Sequence, residues 1–144
     1  MTTEIKVASD GLSITKCFEA MHALRPHLTH NNIEPIILGM MKNGYNLIYI
    51  EENSKAAAAC GYRYTEHLAW GKAIYIDDLT THPEFRKKGY AKQLLDFVFE
   101  QAKKTGCRQL HLDSGCNSGR YDAHRLYLKY GFNITSHHFA MDIK

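Results

Sequence analysis

The chain has no C-x-x-C pair, no run of eighteen apolar residues, no internal repeat and no Pro/Gly-rich linker. Each absence removes a class. The four cysteines, Cys17, Cys60, Cys107 and Cys116, lie far apart, and 144 residues can bury a core without disulfides. They are read as free thiols in a reducing compartment. With no long apolar run there is no membrane span to propose, and the charged opening MTTEIKVASD is unlike a signal peptide, so a cytoplasmic protein is expected. Neither sign of charge dominates: 18 Lys and Arg face 15 Asp and Glu, for a formal charge of +3. That suits small anions and falls short of a nucleic-acid coat, so neither nucleic acid nor a membrane is an expected partner. Adjacent histidines in SHHF (136–139) point apart on a strand, and no Cys/His spacing elsewhere completes a ligand set, so no metal is expected. With no linker to mark a boundary, residues 1–144 are expected to form a single domain.

Hydrophobic periodicity then orders the chain. Residues 4–8 alternate weakly and open the fold as a strand. Ile14, Cys17, Phe18, Met21 and Leu24 recur at helical spacing between residues 13 and 25, and Ile33, Ile36, Ile37 and Met40 do so between 32 and 42. The period changes at 45–52 and 56–70, which read as two strands joined by a turn, and 72–81 is a third. Ala91, Leu94, Leu95, Val98 and Ala102 restore a helix over 91–105, and Gly106 ends it. Residues 108–114 read as a strand, 122–130 as a helix and 132–143 as a closing strand. The strands flanking the 91–105 helix form a βαβ unit with parallel strands. The class is α/β, or α+β in some schemes: a mixed, largely antiparallel central sheet with a parallel βαβ core flanked by helices.

The stretch HPEFRKKGYAKQLL crowds Arg86, Lys87 and Lys88 against the start of a helix, where the helix dipole is already positive. Cations there make sense if an anion sits between them. Unpaired amides at a helix start bind anions, Gly89 lets the backbone approach without a Cβ, and Ala91 keeps the first turn small. Arg86 offers a bidentate grip on phosphate, and the lysines add point charge. On its own R-x-x-G-x-[GA] recurs by chance in about one chain in ten. Its place between a strand and a helix gives it meaning, and neither G-x-x-x-x-G-K-[ST] nor G-x-G-x-x-G is present.

DDLTTHPEFRKKGYAKQLL resembles the acyl-CoA-binding motif of the GNAT N-acetyltransferases, and AHRLYLKYGF resembles the family's A-x-x-[LF]-Y-x-[KR]-x-G-F segment downstream. The resemblance implies acetyl-CoA as co-substrate. Its pyrophosphate would be wrapped by Arg86, Lys87, Lys88, Gly89, Tyr90 and Ala91, and its pantetheine and acetyl group would pair with the strand at Leu79, Thr80 and Thr81. Where many members carry an asparagine this chain has Arg120, with Asn117 nearby but out of register. Dimers are frequent in the family, which leaves a homodimer open.

Acetyl transfer needs a neutral amine, a polarised thioester carbonyl and a proton for the departing thiolate. The resemblance makes Tyr127 the acid. A phenol with pKa about 10 can reprotonate a thiolate whose thiol titrates near 8.5. By spacing alone Tyr127 shares a helical face with Ala123 and Tyr130, which is a core position. Backbone amides of 79–81 would polarise the carbonyl, on a strand that the family splays or bulges. Asp77 and Asp78 are the first candidates for the base. Adjacent strand residues face opposite ways, so one of them is expected to face the cleft. The family's polyamine-type members favour Asp77 as base and Asp78 as substrate anchor, and His124 is the competitor. Acceptor contacts are expected from His27, His30, Tyr62, Tyr64, Glu66 and Trp70, and the acid pair suits a cationic amine of a small molecule or peptide. A non-catalytic acyl-CoA-binding module is the alternative.

Overall fold

Asp10 starts the first helix two residues before the hydrophobic period begins. Its Oδ1 accepts from the Ser13 amide at 2.8 Å, while Ser13 Oγ accepts from the Asp10 amide at 3.2 Å, a reciprocal cap. The computed structural model describes residues 3–144. They group into two compact units, one up to Leu112 and one from Asp113 onward. The first holds β1 (Lys6–Ala8), α1 (Gly11–Lys16), α2 (Phe18–Leu24), α3 (Ile33–Met41), β2 (Asn46–Glu52), β3 (Lys55–His67), β4 (Gly71–Thr81), a 3-10 turn (Pro83–Phe85), α4 (Tyr90–Lys104) and β5 (Gln109–Leu112). The second holds a 3-10 turn (Ser118–Arg120) and α5 (Tyr121–Tyr130). No helix among the described residues is long and apolar enough to cross a membrane.

The sheet order is β1-β2-β3-β4-β5. The first four strands pair antiparallel, and β4 pairs parallel with β5 through the α4 crossover. This is the mixed, largely antiparallel sheet with a parallel βαβ core that the strand–helix–strand order predicts. Two layers of helix cover it. Ile14, Phe18, Met21, Ile33 and Ile37 from α1–α3 cluster with Leu47, Tyr49 and Ala59 on one face. Ile48, Ile50 and Cys60, one step out of phase with those strand residues, lie on the other, and α4 buries Leu94, Leu95 and Val98 as it packs against β2–β4. Each such fully buried aliphatic side chain stabilises the fold by about 1.5–3 kcal/mol.

Two departures from the sequence reading follow from local geometry. The helix expected over 13–25 is two abutting segments, because the Cys17 amide bonds the Ile14 carbonyl at 3.0 Å, a tightened i→i−3 turn. Residues 132–144, expected to hold a closing strand, carry neither helix nor strand. Ile134, Phe139, Met141 and Ile143 stand largely exposed along it. The alternation is there, but a strand exists only with a ladder partner, and the second unit offers none.

The feature that shapes the site is a bulge in β4. Gly61 opposes Asp78 and Tyr62 opposes Ile76, so Asp77 is an extra residue facing no partner. The bulge resets the alternation. Gly61 and Arg63 share one face of β3, and their partners Asp78 and Tyr75 share the same face of β4 although three residues apart. Gly61 also leaves a hollow there. A Cβ on it would collide with the hydroxyl and ring of Tyr45, which crosses the strand to donate to Asp78 Oδ2 at 2.7 Å.

Gly61→Ala should therefore overpack this point and lower stability by about 1–3 kcal/mol in urea titrations; an unshifted midpoint would show that Tyr45 has room to move. Tyr45→Phe should also destabilise, by about 1–3 kcal/mol, because it leaves a buried carboxylate oxygen without its donor. Its measure is the same titration, and a neutral result would mean that Asp78 finds another donor.

Candidate active site

Beyond β4 the chain turns on His82, whose buried ring accepts from the Glu84 amide at 3.1 Å, and on Phe85, which is also buried. The arm that follows is bent by two left-handed residues, Lys87 at φ 66° and Gly89 at φ 79°. A Cβ on Gly89 would meet nothing within 4 Å, so torsion selects glycine here and open space lies beside it. Among the described residues, no backbone hydrogen bond outside the regular elements is donated by an amide of residues 86–92. These are the outward amides an anion needs.

The three cations of the arm divide. Arg86 and Lys87 are exposed and form no ion pair among the described residues. Lys88 Nζ lies 2.9 Å from Glu52 Oε1 and 5.2 Å from the Phe85 ring centroid. The Tyr90 hydroxyl donates to Glu52 Oε2 at 2.6 Å. The two donors, Tyr90 first and Lys88 second, hold the Glu52 carboxyl below its usual range. Glu52 thus ties both ends of the Gly89 bend to the end of β2. Sequence reasoning missed it, since nothing local marks a glutamate 36 residues from Lys88 as its partner.

Upstream, the β4–β5 ladder ends at Ile76 and Leu112, while β4 continues to Thr81. Residues 77–81 thus run on past the end of that ladder, paired only with β3. Leu79 is buried, and Thr80 donates its hydroxyl to the Ala20 carbonyl at 2.9 Å.

The bulge opens a cavity of about 370 Å³, and both Asp77 and Asp78 line it, with Arg25, Tyr45, Tyr75 and Met40 among their neighbours. Strict alternation predicted one carboxylate in the cleft; the extra residue in β4 brings two. Two like charges so close need neutralising, and two guanidiniums supply it. Arg63 grips Asp77, with Nη2 at 2.7 Å and Nε at 3.0 Å. Arg25 Nε donates to Asp78 Oδ1 at 2.8 Å, and its Nη2 donates to the Asp77 carbonyl at 2.9 Å. Burial first, then the Asp78 charge, push the Tyr45 hydroxyl far above the ordinary phenol range, so it stays a donor. Of the acceptor contacts expected from sequence, His27 lines the cavity; His30, Tyr62, Tyr64, Glu66 and Trp70 do not. Arg25 and Arg63 were missed, because a cation matters here only through the fold that brings it to the bulge. Chemistry at the two buried cysteines is disfavoured: burial pushes the Cys17 thiol up to about 12 and the Cys60 thiol higher still.

In the second unit, Tyr127 is buried on α5, edge-on to Phe132 with ring centroids 5.9 Å apart. His124 Nε2 donates to the Gly115 carbonyl at 2.7 Å, leaving Nδ1 as its basic nitrogen. Arg120 Nε reaches Ser114 Oγ at 3.4 Å, and Asn117 precedes the 3-10 turn as its cap.

Comparison with known proteins agrees with this layout. The model of the acetyltransferase (GNAT) family matches residues 15–132, across both units. An uncharacterized N-acetyltransferase, YhdJ of Bacillus subtilis, is 39% identical over 105 residues, 72% of either chain. Among solved structures, a GNAT family acetyltransferase from Staphylococcus aureus superposes with a TM-score of 0.78 over 99% of this chain and 100% of its own, at 20% identity. The aminoglycoside N-acetyltransferase AAC(6')-Iy, in complex with a CoA-based bisubstrate analogue, does so with 0.78 over 100% and 99%, at 15%. At those identities the structures speak for the fold alone, whereas the sequence matches speak for descent. An arm of unpaired amides, a bulged β4 and a family match over most of its length lead to one conclusion: the chain belongs to the GNAT acetyltransferase family.

Proposed function

We propose that residues 1–144 work as one domain that transfers the acetyl group of acetyl-CoA to a primary amine of a small molecule or peptide. The observation that carries this reading is the 86–92 arm, with its left-handed glycine and, among the described residues, unpaired amides and two cations without ion pairs. Arg86, Lys87 and the amides around Gly89 hold the pyrophosphate, with Lys88, Tyr90 and Ala91 shaping the bend. Leu79, Thr80 and Thr81 lie alongside the pantetheine and acetyl group, and an amide there donates to the thioester oxygen as negative charge develops on it.

The acceptor amine attacks the thioester carbon, the C–S bond breaks, and the departing sulfur takes a proton from the Tyr127 hydroxyl. The amine's own proton passes through water to Asp77. Asp77 is favoured over Asp78 because its side chain is 21% exposed against 10%. Asp78, bonded to Tyr45 and Arg25, anchors the acceptor through the arginine it orients. The four free thiols suit a reducing cytoplasm.

Tyr127→Phe should lower kcat at neutral pH by about 10²-fold with acetyl-CoA affinity nearly unchanged, read by release of free thiol and by calorimetry. Unchanged turnover would assign the acid role to water or another group. Gly89→Glu should abolish acetyl-CoA binding, by strain at φ 79° and by negative charge among the phosphate-facing amides. Retained binding would remove the arm from the coenzyme site. Binding of acetyl-CoA with no thiol release across a broad amine panel would favour the acyl-CoA-binding module instead.

A further inference from the structure

The cavity beside the bulge is electrically neutral. Asp77 and Asp78 in its lining contribute −2, Arg25 in the lining contributes +1, and Arg63, behind the lining and paired with Asp77, contributes the other +1. Each of the four carboxylate oxygens already accepts a hydrogen bond: Asp77 takes Arg63 on both oxygens, and Asp78 takes Arg25 on Oδ1 and Tyr45 on Oδ2. The rest of the lining is largely apolar, with Met21, Leu28, Ile36, Ile37 and Met40. A polyamine entering here would bring two or more positive charges to a site with no uncompensated negative one.

What the cavity does expose is a guanidinium. In the Arg25–Asp78 pair the arginine side chain is 43% exposed and the aspartate 10%. A ligand therefore meets the cation of the pair and not its anion. Arg25 has five N–H donors and the fold uses two of them, Nε to Asp78 and one on Nη2 to the Asp77 carbonyl, which leaves three. The residue is also well placed to keep its position. Its backbone caps α2, the amide bonding the Met21 carbonyl at 2.8 Å, and Pro26 follows at once. With two bonds holding the planar group, the free edge is pre-organised, and a guanidinium edge matches an oxyanion in geometry as well as charge.

We propose that the acceptor carries an oxyanion, carboxylate or phosphate, in addition to its reactive amine, and that the free edge of Arg25 binds it. The proposal rests on the transferase reading and narrows its substrate to amines such as amino acids or amino-sugar phosphates. Arg25 is then a specificity-determining residue: it binds the anion and touches none of the reacting atoms of the thioester. The anion of the acceptor finds Arg25, whose side chain is more exposed than that of Asp77 or Asp78 in the same lining.

The test uses matched pairs differing in the anion: lysine against cadaverine for carboxylate, and glucosamine 6-phosphate against glucosamine for phosphate. The wild-type chain should favour the anion-bearing member of one pair by about tenfold or more in kcat/KM, and that pair identifies the oxyanion. Arg25→Gln should erase the preference by raising the KM of the anion-bearing member. It also uncovers Asp78 Oδ1, so cadaverine should be used better by the variant than by the wild type. Arg25→Lys, which keeps the charge and loses the fork, should retain part of the preference and serves if the glutamine variant fails to fold. Preference for the anion-lacking member in both pairs, or a preference untouched by Arg25→Gln, would overturn the proposal. Calorimetric titration of the same pairs in the presence of CoA reads Arg25 without turnover. Anion-selective binding with no thiol release would sink the transferase reading and leave the Arg25 site standing, whereas equal binding within both pairs would sink the site alone.

Discussion

Two carboxylates on consecutive residues cannot share one side of a strand unless the strand is bent and their charge is answered. The bulge at Asp77 supplies the bend, and Arg25 and Arg63 supply the charge. Much of the first unit's local sequence becomes intelligible from this. Gly61 is small because Tyr45 must pass over it, Tyr45 passes over it because Asp78 needs a second donor, and α2 ends at Arg25, within reach of the strand. Removing one partner would leave the other's charge, or a buried carboxylate oxygen, without its match. The arrangement is therefore held by mutual dependence and not by the worth of any single contact.

The same strand leads to a second charged site built on the opposite rule. At the bulge every charge is matched. Past Thr81, Lys88 is neutralised by Glu52, while Arg86 and Lys87 form no ion pair among the described residues and sit beside amides that donate no backbone hydrogen bond there. One site is complete without a ligand, and the other invites an anion. The bond from Tyr90 to Glu52 shows why the arm keeps its bend without one: a left-handed glycine is easily bent but equally easily straightened, and the carboxylate pins both sides of it.

The arm was legible in sequence because its signal is local. A run of cations, a glycine and a small residue between a strand and a helix say what they do within a few positions, and Gly89 takes the left-handed torsion that a glycine there permits. The sheet was legible for a related reason, since period-two alternation marks strands wherever they pair. That logic failed at 132–143, where Ile134, Phe139, Met141 and Ile143 carry a strand-like pattern but form no ladder; pattern records a propensity, and pairing needs a neighbour. It failed again at Asp77 and Asp78, because a bulge is invisible to periodicity. Arg25, Arg63 and Glu52 lie 53, 14 and 36 residues from the groups they bind, and only the folded sheet brings them together.

The guanidinium beside the acceptor cavity bears on the chemistry as well as on selection. An alkylamine with a pKa near 10.4 is almost wholly protonated at neutral pH, and only its neutral form attacks a thioester. A cavity with an excess of carboxylate would hold the ammonium tightly and raise that pKa further, trading affinity for reactivity. A neutral cavity with an exposed arginine does the reverse. On the proposed reading it gains its affinity from an anion elsewhere on the acceptor, and the cation that binds this anion disfavours a second positive charge near it. Apolar walls from Ile36, Ile37 and Met40 add to the effect, since desolvation also lowers the pKa of an amine. Recognition and deprotonation then draw on the same residue, which accounts for an arginine at the one charged position of this cavity that solvent reaches most.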